Sequence, residues 1–102
     1  MTAEFAVALP AIALVLAACL ASVQLVAHQV RLTDAAADAA RALGRGESEA
    51  VARSIAERVS PGARLAAWTE ASFVCVELSA DGAGLLSAIE LRAESCAVAG
   101  GL

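Results

Sequence analysis

Residues 5–30 form a run of 26 residues without formal charge, built mostly from Ala, Val, Leu and Ile, with Glu4 directly before it and Arg31 directly after it. An apolar stretch of more than about 20 residues can cross the roughly 30 Å hydrocarbon core of a bilayer as a helix, whereas core helices of soluble domains are shorter and amphipathic. The run predicts a membrane span over about residues 5–27, and the lipid bilayer is the first partner the chain implies.

The remainder is too short for a second sizeable core, so one small module leaning on its own helix is expected. The 102-residue chain carries a net charge of −4 and no Lys, and its seven Arg are interleaved with acids. That balance excludes a nucleic-acid-binding face, which needs clustered cations. With one His, one Trp, two Phe and no Tyr, the sequence assembles no nucleophile–base pair and no metal set. An enzyme is not expected, and neither is a cofactor or metal.

Beyond the span the pattern becomes amphipathic without a break. Leu32, Ala36, Ala39 and Leu43 recur at four- and three-residue spacing, while Asp34, Asp38, Arg41 and Arg45 mark a polar face. One helix is predicted from about residue 3 to residue 43, ended by Gly44-Arg45-Gly46. Ser48 is the N-cap of a second helix that places Val51, Ile55 and Val59 on one face, and Ser60-Pro61-Gly62 stops it. Three β-like runs follow at 63–69, 72–80 and about 88–99, the last two joined by the turn chemistry of Asp81-Gly82-Ala83-Gly84. The fold class is α+β: a long N-terminal helix, a short second helix and a small antiparallel sheet. The helix occupies residues 1–46 and the small module residues 47–102.

Single residues divide between structural and functional roles. Glu4 is either an acid at the wet edge of the span or the partner of a cation on a neighbouring subunit. Pro10 lacks an N–H and leaves the carbonyl of Ala6 unpaired, so a kink or a locally melted turn is expected there. His28 reads as a snorkelling interfacial residue and Trp68 as a core residue of the sheet. Cys19 lies in the apolar run and acts as a small hydrophobe. If the second and third β-like runs form a hairpin, the pairing centre for Cys75 and Cys96 falls inside the loop that the Gly-rich turn requires, and the two can face each other. A structural disulfide outside the cytoplasm is then expected, the alternative being two buried free thiols. The same register opposes Glu77 to Glu94, a like-charge pair that argues against it.

The segments from Thr2 to Ala11 and from Val30 to Gly46 resemble the TadE-like minor pilins (pseudopilins) of the tight-adherence, Flp-type branch of type IV pilus systems. They are most similar to the short forms of high-GC Gram-positive bacteria, and the Lys-free, Ala- and Arg-rich composition agrees. The resemblance covers about the first 46 residues. It implies a pilin-like fold, a precursor cut by a prepilin peptidase, insertion by a pilus assembly platform, and other pilins or pseudopilins as partners. It assigns subunit alignment to Glu4, with Phe5 beside it, and places the C-terminal module outside the cytoplasm, at the cell membrane or on a surface pilus. Ala8, Ala11, Ala13, Ala17, Ala18 and Ala21 suit the close helix packing such a subunit needs.

Two other readings stay open: a membrane-bound accessory or regulatory protein that never enters a filament, and a secreted protein whose apolar run is a signal peptide. Against the latter, the run is long, starts with an acid and flows into a helix. Arg31, Arg41 and Arg45 follow the span with no basic residue before it, which by the positive-inside rule would hold the module in the cytoplasm. An upstream in-frame basic leader ending in Gly, with Met1 standing where a GTG-encoded Val belongs, would reverse that balance, and such a leader is the expectation.

Overall fold

The structure, a computed structural model, describes residues 2–100. Helix α1 spans Thr2–Gly44 and α2 spans Glu49–Val59; strands β1 (Arg64–Glu70), β2 (Phe73–Asp81) and β3 (Glu90–Val98) follow, with one 3₁₀ turn at Gly84–Leu86. At 1.5 Å per residue the 43 residues of α1 account for nearly all of the 69 Å length of the molecule. The fold is therefore a rod with a head: an α+β module packed on the C-terminal half of one helix.

Local chemistry sets the turn between the helices. The amide of Gly46 donates to the Leu43 carbonyl and that of Glu47 to the Ala42 carbonyl, while Gly46 has φ +90°, the Schellman arrangement that only a residue free of Cβ enters without strain. Ser48 then caps α2, its hydroxyl accepting from the amide of Val51 at 3.3 Å. The chain reverses and α2 packs back along α1 through small side chains, Ala52 and Ala56 against the Ala-rich stretch 35–42. Val51 lies outside this contact and is 40% exposed, so the apolar face of α2 is Ala52, Ile55, Ala56 and Val59, rotated from the one expected. On the opposite side of α1, Asp38 and Arg41 form the ion pair one turn apart.

The sheet is a β1-β2-β3 meander in which every neighbouring pair is antiparallel. Val76, Leu78 and Ala80 of β2, with Leu91, Ala93 and Ala97 of β3, face the helix and close the core around Leu32, Ala36 and Ala39. α1 backs β2 and β3 but leaves β1 largely uncovered, which is why Ala67 and Thr69, on the helix side by alternation, are exposed. Trp68 is on the other side of β1, paired with Cys75 and 36% exposed. It is not a core residue: the helix covers only one face of the sheet, and the register puts Trp68 on the opposite one.

Pair spacing follows from two hydrogen bonds. The amide of Gly82 donates to the Ile89 carbonyl and that of Ala99 to the Ser72 carbonyl, so the even-numbered positions of β2 bond to β3 and the odd ones form narrow, non-bonded pairs with it. At the outer edge of β3, α1 meets one carbonyl of the strand and one amide just beyond it. Gln29 Nε2 donates to the Arg92 carbonyl at 2.8 Å, and the Gly100 amide donates to the Gly44 carbonyl at 2.9 Å. The sheet thus has two edges, β1 and β3, and α1 lies against that of β3.

Packing divides the molecule near Leu25, the first α1 residue against the core cluster, while the chain itself turns at residue 46. The C-terminal half of α1 belongs to the head as much as to the rod.

Candidate assembly and membrane surface

Every residue from Thr2 to Leu20 is exposed. This half of α1 is long and apolar enough to cross a bilayer, and it is compatible with membrane anchoring. Its few polar atoms are handled locally: the Ser22 hydroxyl donates to the Ala18 carbonyl at 2.8 Å, so no hydroxyl need face lipid without a partner. The helix runs unbroken through Pro10, so the melted turn allowed as one expectation does not occur; ring and helix coexist because only one main-chain bond is lost. Cys19 is a free, exposed thiol within this surface.

Glu4 stands in the first turn of α1, where the amide dipoles favour an acid, and has no ion-pair partner among the described residues. Phe5 beside it is exposed. Together they make an apolar cylinder with one carboxylate at its head. In water or headgroups that carboxylate is solvated, but in an apolar setting it needs a cation or amine beside it.

At the far end of the head, the outer face of the sheet carries the disulfide between Cys75 and Cys96, with S–S 2.03 Å and Cα–Cα 4.0 Å. The two cysteines occupy a narrow pair, where side chains approach most closely. Trp68 continues the same row on β1, and Phe73 and Val98 form the next, leaving a small exposed apolar patch with a shallow hollow beside Glu70 and Ala71. Glu77 and Glu94 do oppose each other directly one row away. The register tolerates them because Glu94 is exposed to solvent and neither carboxylate is confined to the core.

Sequence reasoning missed the groups that join rod to head. His28 does not simply reach for the interface: it is half-buried, with Nε2 3.5 Å from the Oγ of buried Ser60 at the end of α2. Gln29 ties α1 to the edge of β3 as described above. Ala83 and Leu86 of the β2–β3 connection come down beside Gln24, Leu25 and His28. The available signal was the uncharged stretch from Gly82 to Ile89, with two adjacent Leu, between two acids.

No family model and no solved structure matches the chain. The chain is 38% identical over 99 residues to the apoptosis inhibitor Rv3655c of Mycobacterium tuberculosis (strain ATCC 25618 / H37Rv), an alignment covering 94% of this chain and 76% of that protein. Identity at this level over rod and head together is a likeness of whole chains, and the chain belongs to the family of that mycobacterial protein.

Proposed function

We propose that this chain is a membrane-anchored, TadE-like minor pilin or pseudopilin, a structural subunit in the assembly of a tight-adherence type IV pilus or a related secretion apparatus. The observation that carries this reading is the exposed apolar half of α1 with Glu4 unpaired, among the described residues, at its head. Such a helix can be buried by lipid before assembly and by neighbouring helices afterwards, and its alanines permit close approach in either setting. In this reading Glu4, with Phe5, aligns the subunit by meeting a cation on its neighbour, Pro10 leaves one helix carbonyl without its main-chain partner near that contact, and the disulfide-linked head is extracytoplasmic, where such bonds persist. A prepilin peptidase and an assembly platform are the partners that processing and insertion would require.

A second reading, taken from the name of the relative as an apoptosis inhibitor, is that the protein acts without entering a filament. Recovery of the wild-type protein in sheared pili separates the two, and Glu4→Gln tests the alignment role. Membrane level of the variant should stay unchanged, because removing a charge from the end of a span does not disfavour insertion, while crosslinking to pilin partners should fall sharply. Undiminished crosslinking of the Glu4→Gln protein would remove the alignment role of Glu4, and wild-type protein never found in sheared pili would remove the pilin role.

A further inference from the structure

We propose that the connection between β2 and β3, residues 82–89, is a second membrane contact that seats the head on the lipid surface beside the emerging helix, with Leu85 and Ile89 entering the headgroup–acyl boundary. The proposal rests on the membrane-anchoring reading of α1 and adds to it a surface on the head itself.

The loop holds eight uncharged residues between Asp81 and Glu90. Those flanking acids are turned to a common cation, Arg64, at 3.5 and 3.6 Å. Glu90 is also met by Arg92 at 3.4 Å, so the two acids at the loop's base face two cations and carry no net charge toward lipid. Half of the loop's amides are paired within it: Gly82 and Ile89 amides donate to the Ile89 and Leu86 carbonyls at 2.9 and 3.0 Å, and those of Leu86 and Ser87 to the Ala83 and Gly84 carbonyls at 3.0 and 3.2 Å. The remaining amides need water or lipid headgroups as partners, which places the loop at the wet boundary and not in the hydrocarbon. Its compactness depends on Gly82, where a Cβ would lie 2.3 Å from the Leu86 carbonyl oxygen.

The two leucines take opposite directions. Leu86 turns to α1 beside Gln24, Leu25 and His28. Leu85 is fully exposed, and Ile89 is exposed too. Counting from Phe5 at one boundary, a helix rising 1.5 Å per residue crosses a core of about 30 Å in about 20 residues and leaves it near Gln24. The loop therefore packs on α1 at the level of the lipid boundary, and the apolar surface of Leu85 continues that of the helix. An interfacial element of this kind penetrates about 5–10 Å. Two contacts, helix and loop, would fix the rotation of the head about the α1 axis.

The test places a single Trp at the loop tip by Leu85→Trp in a Trp68→Phe background, with the full chain reconstituted in phosphatidylcholine vesicles containing lipid brominated on the upper acyl chain. Native Trp68, at the distal end of the head, is the water-exposed reference, and Leu14→Trp in the same background reports on the span. The expected result is a blue-shifted emission for Leu85→Trp and quenching several-fold stronger than that of Trp68. Quenching of Leu14→Trp without quenching of Leu85→Trp overturns the loop contact and leaves the anchor standing. Absence of quenching at both positions overturns the anchor and the loop together.

Discussion

Opening the Cys75–Cys96 link in the full chain, by Cys75→Ala with Cys96→Ala, should cost a large share of the stability of the head. The cysteines are 21 residues apart, and by the chain-entropy relation closing such a loop is worth about 3 kcal/mol. A small domain is stable by about 0.05–0.15 kcal/mol per residue, so the head, comprising the C-terminal half of α1 and everything after it, holds about 4–11 kcal/mol in all. Cys75 is buried, so its loss also removes packing, whereas Cys96 is exposed and contributes little beyond the bond. Urea unfolding of the detergent-solubilised protein can be followed by Trp68, which lies in the same row as the disulfide. With an m-value of about 1 kcal/mol/M for so small a unit, the midpoint should fall by about 3 M. Wild-type protein treated with a reducing thiol should behave like the double variant. A midpoint unmoved in both cases would show that the hairpin is held by its turn and core alone, and would refute the entropic argument.

Glu94→Arg should raise stability by about 0.5 kcal/mol, because it replaces a directly opposed like-charge pair with an attractive one facing Glu77; a loss of stability in the same urea titration would show that the opposition costs nothing. Gly44→Ala should destabilise by about 1–3 kcal/mol although Ala ordinarily favours helix, since its Cβ would lie 2.9 Å from the Val98 carbonyl oxygen and force α1 away from β3. Hydrogen exchange at Gly100, whose amide donates to the Gly44 carbonyl, should speed up with it, and a stabilised variant would refute the contact.

Much of the architecture was legible in the chain because it is locally determined. The uncharged run of residues 5–30 passes without a breaker into the 3.6-residue pattern of Leu32, Ala36 and Ala39, and the structure has one helix there. Gly46 and Ser48 carry the conformational freedom and the hydroxyl that end one helix and start the next. In the β2–β3 hairpin, turn residues and strand alternation together restrict the register, and opposing Cys75 to Cys96 necessarily opposes Glu77 to Glu94.

Which face of each element meets which neighbour was decided only in three dimensions. Trp68 could not be assigned from β1, because neither side of that strand is cleanly polar and a single strand does not say where the covering helix lies. The helix covers β2 and β3, and the largest side chain of the sheet is left outside. Val51 yields its place on α2 to Ala52 and Ala56 because the Ala-rich surface of α1 lets the backbones approach too closely for a larger residue between them. His28, Gln29 and Leu86 draw their roles from partners 32, 63 and about 60 residues away along the chain. Hydropathy and capping are properties of neighbours in sequence; contacts over such separations exist only once the helix, the reversal at Gly46 and the sheet have come together.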